Sequence, residues 1–444
     1  MIHDLRSYLE ILKENNELLT ISREVDPVGE IGAVMATLEK TGGEAAFFEH
    51  VKGFDVPVTG GMLSDHRKIA LALECRPDEI SKRGEAALEK PLQPEIVENA
   101  AFRENVLQGP DIDLTKLPIP VHAPEDGGPF ITGGVTFSKS LQGGRQNLSF
   151  HRMLIKGPAK TGVMINEWRH LRQFLQEAES ADRALPIAVA VGLDPVILMA
   201  AGFRSDLDEI ELAGALRGRP VQLARCISSD LLVPAESEFI IEGEIRPGER
   251  EDEGPLAEFT GHYGALWPSP VFHITAICHR NKPVWQTING ASFEHINLGN
   301  VLSREPMLLK YAKYDSKNVR AVHLPPYGSG FLAPVSVDKQ NEGEPKNIAM
   351  AAMTSHVNIK NVIVVDTDVD IYNPADVMWA MSNRVDPRED IFVVPNAQGH
   401  ELDPGSDETG VQNKMGIDAT LAKTKGHLKK VVYPAVDLTK YRNT

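Results

Sequence analysis

Between Gly134 and Arg280 the chain carries one apolar or alternating run after another: "GVTFSKSL", "LSFHRMLIKG", "TGVMINE", "PIAVAVGLD", "VQLARCIS", "FIIEGEI" and "VFHITAICHR". Parallel strands need a crossover of a dozen residues or more, whereas antiparallel strands need only a turn. Several of these runs lie too close together for a regular strand–helix–strand repeat, so the middle of the chain predicts a mostly antiparallel sheet or barrel. Helical patterns interrupt it at "EWRHLRQFLQEAES" and "LDEIELAGALRG". The flanks read differently. Upstream, a helical "EIGAVMATLEKTG" alternates with strand-like "AAFFEHV" and "PVTGGML", a small α+β or α/β unit. A Pro- and Gly-dense connector, "LPIPVHAPEDGGPFITGG", leads into the middle as a domain entrance. After Glu305-Pro306 a helical "MLLKYAKYD" precedes strands at "NVRAVHLP", "NVIVVDTDVD" and "DIFVVPN", with helices at "KNIAMAAMTSHV" and "NPADVMWAMSNRV". That alternation predicts a compact parallel α/β domain.

Composition narrows the function. A chain of 444 residues exceeds one ordinary core, so two or three domains are expected. The formal net charge of −16 disfavours a nucleic-acid or anionic-membrane surface, and an anionic substrate would need a local basic pocket. Cys75, Cys226 and Cys278 are far apart and form neither a disulfide framework nor a thiolate metal site, which fits a reducing cytoplasm. Ile2, Leu5, Leu9 and Leu12 have amphipathic-helix spacing, unlike a signal peptide, and no run approaches a membrane span. The phosphate-loop, dinucleotide, H-E-x-x-H and G-x-S-x-G signatures are all missing.

One polar constellation remains. "EGPLAEFTGHYG" sets Glu253 at a turn and Glu258 where the chain resumes an extended course, because Gly254-Pro255 disfavours a helix. Asn147 and Arg152 lie in the strand-rich middle, as do His170 and Glu209. An amide, an imidazole and a carboxylate suit Mg²⁺ or Mn²⁺. A guanidinium with two acids could clamp a substrate carboxylate while one acid exchanges a proton, which suggests decarboxylation or carboxylation. Each residue has a plain alternative: Asn147 in a turn, His170 on a helix surface, Glu209 as a solvated acid, Arg152 at a strand edge, and Glu253 and Glu258 as loop acids.

The chain resembles the UbiD family of reversible decarboxylases over nearly its whole length. The motifs are the opening "DLRSYLEILKENNELLTISREVDP", "QNLSFHRM", the run from Asp208 through Gly243, "EGPLAEFTGHYG", "DVDIYNPADVMWAMSNRVDP" and "NKMGIDAT". The resemblance implies an α/β (α+β) fold: an N-terminal α/β domain (1–115), a central flavin-binding split β-barrel (116–302), a linking helix (303–318) and a C-terminal α/β oligomerisation domain (319–444). It implies prenylated FMN, which forms a covalent adduct with the substrate, together with Mn²⁺ (or Mg²⁺) and K⁺. By carry-over Arg152 pairs with Glu253, Glu258 donates the proton, Asn147, His170 and Glu209 hold the metal, and Lys414 contacts the cofactor. A separate flavin prenyltransferase would supply the cofactor, and the chain would form homodimers or hexamers.

Chain size is similar to that of members acting on aromatic and heteroaromatic acids: furan (furan-2,5-dicarboxylate included), pyrrole and indole carboxylates. "NGASFEHINLGNVLSREP" would run past the pocket, with His295, Asn297 and Arg304 as substrate contacts. Arg304 would receive a second carboxylate, or else face solvent at the start of the linking helix. Two other function classes stay open: a non-catalytic or assembly subunit of a carboxylase complex, and an FMN-dependent oxidoreductase.

Overall fold

The computed structural model describes residues 1–166, 169–203, 207–431 and 433. Glu167 and Trp168, at the front of one predicted helix, lie outside the described residues. The chain divides into two compact units, Met1–Pro306 and Met307–Thr444.

The first unit opens with the expected amphipathic helix, Leu5–Glu14, capped by Asp4 and burying Leu5, Tyr8, Leu9 and Leu12. Strands Leu18–Ile21, Ala45–Phe48 and Val58–Gly60 follow, and Trp285–Gln286 completes this sheet from much later in the chain. Among the described residues, the largest sheet has nine strands, and each of its neighbouring pairs is antiparallel. Leu185–Val191 runs through it with both faces covered: Ile187, Val189 and Val191 enter one apolar cluster, Ala188 and Ala190 another. The long strands Phe239–Glu253 and Trp267–His279 pair with register shifts after Glu242 and between Ile245 and Arg250. Such irregularities bend a strand and let the sheet curl.

One reading of the middle changes, and one helix had no reading. "LSFHRMLIKG" is not one strand but two, Gln146–Phe150 and Met153–Ile155, broken at His151-Arg152. The first pairs with Val135–Lys139 and the second with Lys160–Val163, so the break is where the chain changes partners. "PVILMAAG" forms a helix, Pro195–Gly202, capped by Asp194 and buried throughout Pro195–Ala201. A helix apolar on every side has no period to read.

The second unit holds a five-stranded sheet in the order Val319–Val322, Leu332–Val337, Asn361–Asp366, Val411–Asp418, Ile391–Gln398. Its centre is parallel as expected, but each edge pair is antiparallel. Helices Glu344–Thr354 and Pro374–Arg384 accompany it, and Ile363, Val365, Val377 and Ile417 share one of its apolar clusters.

Candidate active site

The break that splits "LSFHRMLIKG" places Arg152 between two strands, where its side chain leaves the ladder. Glu253 ends the Phe239–Glu253 strand, directly opposite Trp267. Arg152 donates to it through Nε (3.1 Å to Oε1, 3.2 Å to Oε2) and Nη2 (2.9 Å to Oε2). The other arm of the guanidinium, Nη1, donates to Glu258 Oε1. Glu258 sits beyond the strand in a loop closed by its own bonds, Glu258 N–H to His262 O (2.8 Å) and Gly264 N–H to Leu256 O (2.9 Å). Glu253 therefore ends the strand before the turn, and both acids meet one arginine. The side chains of Glu253, Arg152 and Glu258 are 0%, 9% and 14% exposed, too dry for solvated loop acids.

One cation against two carboxylates leaves a negative charge over when both are ionised. Burial pushes both acids above the usual carboxylate range, against the pull of Arg152, and the charge of Glu253 lifts Glu258 further. Glu253 takes the bidentate grip, and Glu258, met by the single remaining arm, is the acid placed to exchange a proton. The site thus holds an immobile ion pair beside an acid able to deliver a proton.

Five residues before Arg152 stands Asn147, whose Oδ1 lies 2.7 Å from His170 Nδ1. A chain of bonds orients the amide: Asn147 Nδ2 donates to Ser149 Oγ (3.2 Å), Ser149 Oγ meets His151 Nε2 (2.9 Å), and His151 Nδ1 meets the Met164 carbonyl (2.9 Å). A carbonyl only accepts, so His151 carries its proton on Nδ1 and takes the Ser149 hydroxyl at Nε2. Burial pushes the His151 pKa down to about 4, which keeps the ring neutral. Ser149 and His151 were missed in the sequence, although alternation along "NLSFH" puts both on the Asn147 side of the strand. Glu209 begins the helix Glu209–Arg217 and accepts from the Leu148 backbone N–H, beside Asn147. Its Oε2 is buried with no hydrogen-bond partner among the described residues, and burial raises its pKa to about 7. A buried carboxylate oxygen lacking a partner, with an oriented amide oxygen and an imidazole nearby, fits a hard divalent cation.

Three family models cover most of the chain: the 3-octaprenyl-4-hydroxybenzoate carboxy-lyase N-terminal domain at residues 9–87, the Rift-related domain at 95–292 and the C-terminal domain at 299–419. The chain belongs to the UbiD family of carboxy-lyases. A UbiD-class enzyme, HmfF from Pelotomaculum thermopropionicum, solved in complex with FMN, superposes with a TM-score of 0.94 at 38% identity, covering 99% of this chain and 100% of that one. An evolved dimeric form of HmfF, in complex with prFMN, gives 0.90 at 36% identity, covering 99% and 100%. Anhydromevalonate phosphate decarboxylase of Methanothermobacter thermautotrophicus is 36% identical over 419 residues, covering 94% of this chain and 96% of that protein. The UbiD fold is therefore shown, as is the class of enzyme, a carboxy-lyase of a flavin-dependent decarboxylase family. Among the described residues no helix is long and apolar enough to cross a membrane.

The remaining sequence candidates separate. His295 lies on the short helix Phe293–Ile296 with its ring edge-on to Phe259, centroids 6.4 Å apart. Burial and the nearby charge of Arg152 push its pKa down to about 4, so it is a neutral hydrogen-bonding group beside the acid loop. Asn297 is fully buried and donates to the Leu63 carbonyl at 2.9 Å, which ties down its own segment. Arg304 is 8% exposed, which removes the solvent-facing alternative. Lys414 belongs to the second unit, where the strand Val411–Asp418 carries it and its Nζ donates to the carbonyls of Val357 (3.1 Å) and Met353 (3.3 Å).

Proposed function

We propose that the protein catalyses reversible, non-oxidative decarboxylation of an aromatic or heteroaromatic carboxylic acid, with furan-2,5-dicarboxylate, which carries a second anionic group, as the first candidate and pyrrole and indole acids behind it. The observation that carries this reading is Arg152 shared between buried Glu253 and Glu258. Losing carbon dioxide from an sp² carbon leaves charge that side chains alone cannot stabilise, and prenylated FMN when bound supplies the electron sink. Asn147, His170 and Glu209 would hold the Mn²⁺ or Mg²⁺ that accompanies it, with K⁺ as a further ion.

The chain's own residues do the rest. Arg152 grips the departing carboxylate, and Glu253 fixes the guanidinium so that it cannot follow the substrate out. Glu258, whose pKa burial and its acidic neighbour raise, delivers a proton to the vacated carbon; in the carboxylating direction it removes it. Phe259 and neutral His295 would offer an uncharged wall to a flat ring. Buried Arg304 would meet the second anionic group. The 319–444 region would serve assembly into homodimers or hexamers, and a flavin prenyltransferase would supply the cofactor.

The second anion could be the ring carboxylate of the first candidate or a phosphate ester, as the name of the anhydromevalonate phosphate decarboxylase suggests. The protein, produced anaerobically with a flavin prenyltransferase, should release prenylated FMN by mass and Mn²⁺ by elemental analysis, and should liberate carbon dioxide from furan-2,5-dicarboxylate. Arg304→Ala should spare a furan monocarboxylate and cripple the dicarboxylate; equal loss on both removes the Arg304 role. Turnover of a phosphorylated enoic acid instead would replace the aromatic substrate while keeping the reaction. Plain FMN in a folded protein that releases no carbon dioxide would favour an oxidoreductase or an assembly subunit.

A further inference from the structure

The connector Leu117–Gly134 takes no part in the proposed chemistry, yet its turn at 123–127 is bonded to the acid loop at three points. Asp126 Oδ1 accepts the Ala257 N–H at 3.2 Å, the Gly127 N–H donates to the Pro255 carbonyl at 2.8 Å, and the Glu125 N–H donates to Tyr263 Oη at 3.2 Å. The turn is also closed on itself, since Asp126 Oδ2 accepts the Ala123 N–H at 2.8 Å and the Asp126 N–H donates to the Ala123 carbonyl at 3.1 Å. It approaches so closely that a Cβ at Gly127 would come within 2.1 Å of the Gly254 carbonyl oxygen. Glycine is required there by contact.

The two acids of the loop are held in different ways. Glu253 is fixed by the strand ladder opposite Trp267. Glu258 lies five residues on, in a loop whose bonds at Glu258, Leu256 and the Ala257–Tyr263 bridge are internal and do not anchor it to the sheet. Its neighbour Ala257 is anchored from outside by the Asp126 carboxylate. Asp126 is close enough to feel the charge of Arg152, so the clamp stands at the edge of the same cluster.

We propose that Asp126 is the positioning residue for Glu258: its carboxylate pins Ala257 to the connector turn and so fixes where the loop presents the acid. This rests on the decarboxylase reading for what Glu258 does, but not for how the loop is held. Without the carboxylate, the Ala257 N–H loses its partner and the loop is held to the turn only at Pro255 and Tyr263, on either side of Glu258, which is free to shift between them. A displacement of about 1 Å costs on the order of 100-fold in rate when groups must meet in a set geometry.

The test compares Asp126→Ala and Asp126→Asn in the full-length holoenzyme, reading kcat, KM and amide hydrogen exchange at Ala257. Asp126→Ala should lower kcat about 100-fold with KM changed less than about threefold, because the proton donor and not the binding site is displaced. Ala257 exchange should quicken by about tenfold or more. Asp126→Asn keeps an acceptor for the Ala257 N–H and should recover kcat to within about tenfold of the wild type. Wild-type kcat and unchanged exchange in the alanine variant overturn the proposal, and so does an equal fall in both variants with Ala257 exchange unmoved. If the wild-type protein decarboxylates nothing, the reaction assignment fails alone: faster Ala257 exchange in Asp126→Ala still upholds the clamp, and unchanged exchange removes it.

Discussion

Two clusters stand five residues apart along one stretch of chain, and they balance charge in opposite ways. Around Arg152 the acids are paired: one guanidinium spans two buried carboxylates, and burial pushes both of them above the usual carboxylate value. Around Asn147 the balance stays open, because Glu209 brings a carboxylate into a buried setting and leaves Oε2 with no partner among the described residues. The first cluster is complete as protein. The second asks for a cation that protein does not supply, and its oriented amide and imidazole are ligands that a hard cation takes. In the proposed function proton exchange belongs to the first cluster and metal binding to the second.

The largest effect expected from breaking this contrast is loss of turnover. Removing the acid with Glu258→Gln should cut kcat by about 10²–10⁴-fold in assays of carbon dioxide release. Arg152→Lys should be nearly as damaging, since a lysine cannot grip Glu253 bidentately and reach Glu258 at once. Near-normal rates in either variant would show that the cluster is structural. Next in size is the metal. Glu209→Gln and Asn147→Ala should strip Mn²⁺ from purified protein by elemental analysis, and Ser149→Ala, which only frees the amide to turn, should weaken metal affinity by about 10–100-fold. Unchanged metal content in all three would move the cation elsewhere.

The pH dependence sharpens the contrast further. In the proposed function Glu258 acts as an acid, and burial raises its pKa above the ordinary carboxylate value, so kcat should hold at low pH and fall as pH rises through that raised value. A rate that climbs over the same range would make Glu258 a base in the decarboxylating direction. The smallest effect concerns Glu294, a fully buried acid that accepts the Gly61 and Leu63 N–H groups at 2.8 and 2.9 Å. Burial raises its pKa from 4.5 to about 7. Between those values the folded chain keeps a proton that the unfolded chain has lost, so this contribution to stability is present at low pH and fades as pH rises toward 7. The melting temperature of wild type minus Glu294→Gln should therefore be larger at pH 5 than at pH 8. The reverse order would mean that the two N–H bonds hold the ionised acid well enough to outweigh its burial.

Much of this was legible before any coordinates. Closely spaced runs gave the antiparallel sheet, the Ile2–Leu12 spacing gave the first helix, and the alternation after Pro306 gave a second sheet with a parallel centre. Chemistry alone allowed the grouping of Arg152, Glu253 and Glu258, but only the family motifs favoured it over plain alternatives, because residues a hundred positions apart carry no local signal of contact. Other features had no pattern to betray them. The helix Pro195–Gly202 is apolar on all sides, and the strand Val411–Asp418 mixes Gln, Asn, Lys and Asp with few apolar residues. The break at Arg152 hid inside a run that reads as one strand, since a change of pairing partner is a tertiary event. Asp126 looked like one more turn residue among prolines and glycines, and only the Ala257 contact sets it apart.

The most direct test of the account follows hydrogen rather than carbon dioxide alone. Holoenzyme assembled with prenylated FMN and Mn²⁺ would be incubated with furan-2,5-dicarboxylate in D₂O, and the product examined by NMR for wild type and Glu258→Gln. The account predicts one deuterium at the vacated ring carbon for the wild type and a collapse of both release and deuteration in the variant. Deuteration at an undiminished rate without Glu258 would contradict it.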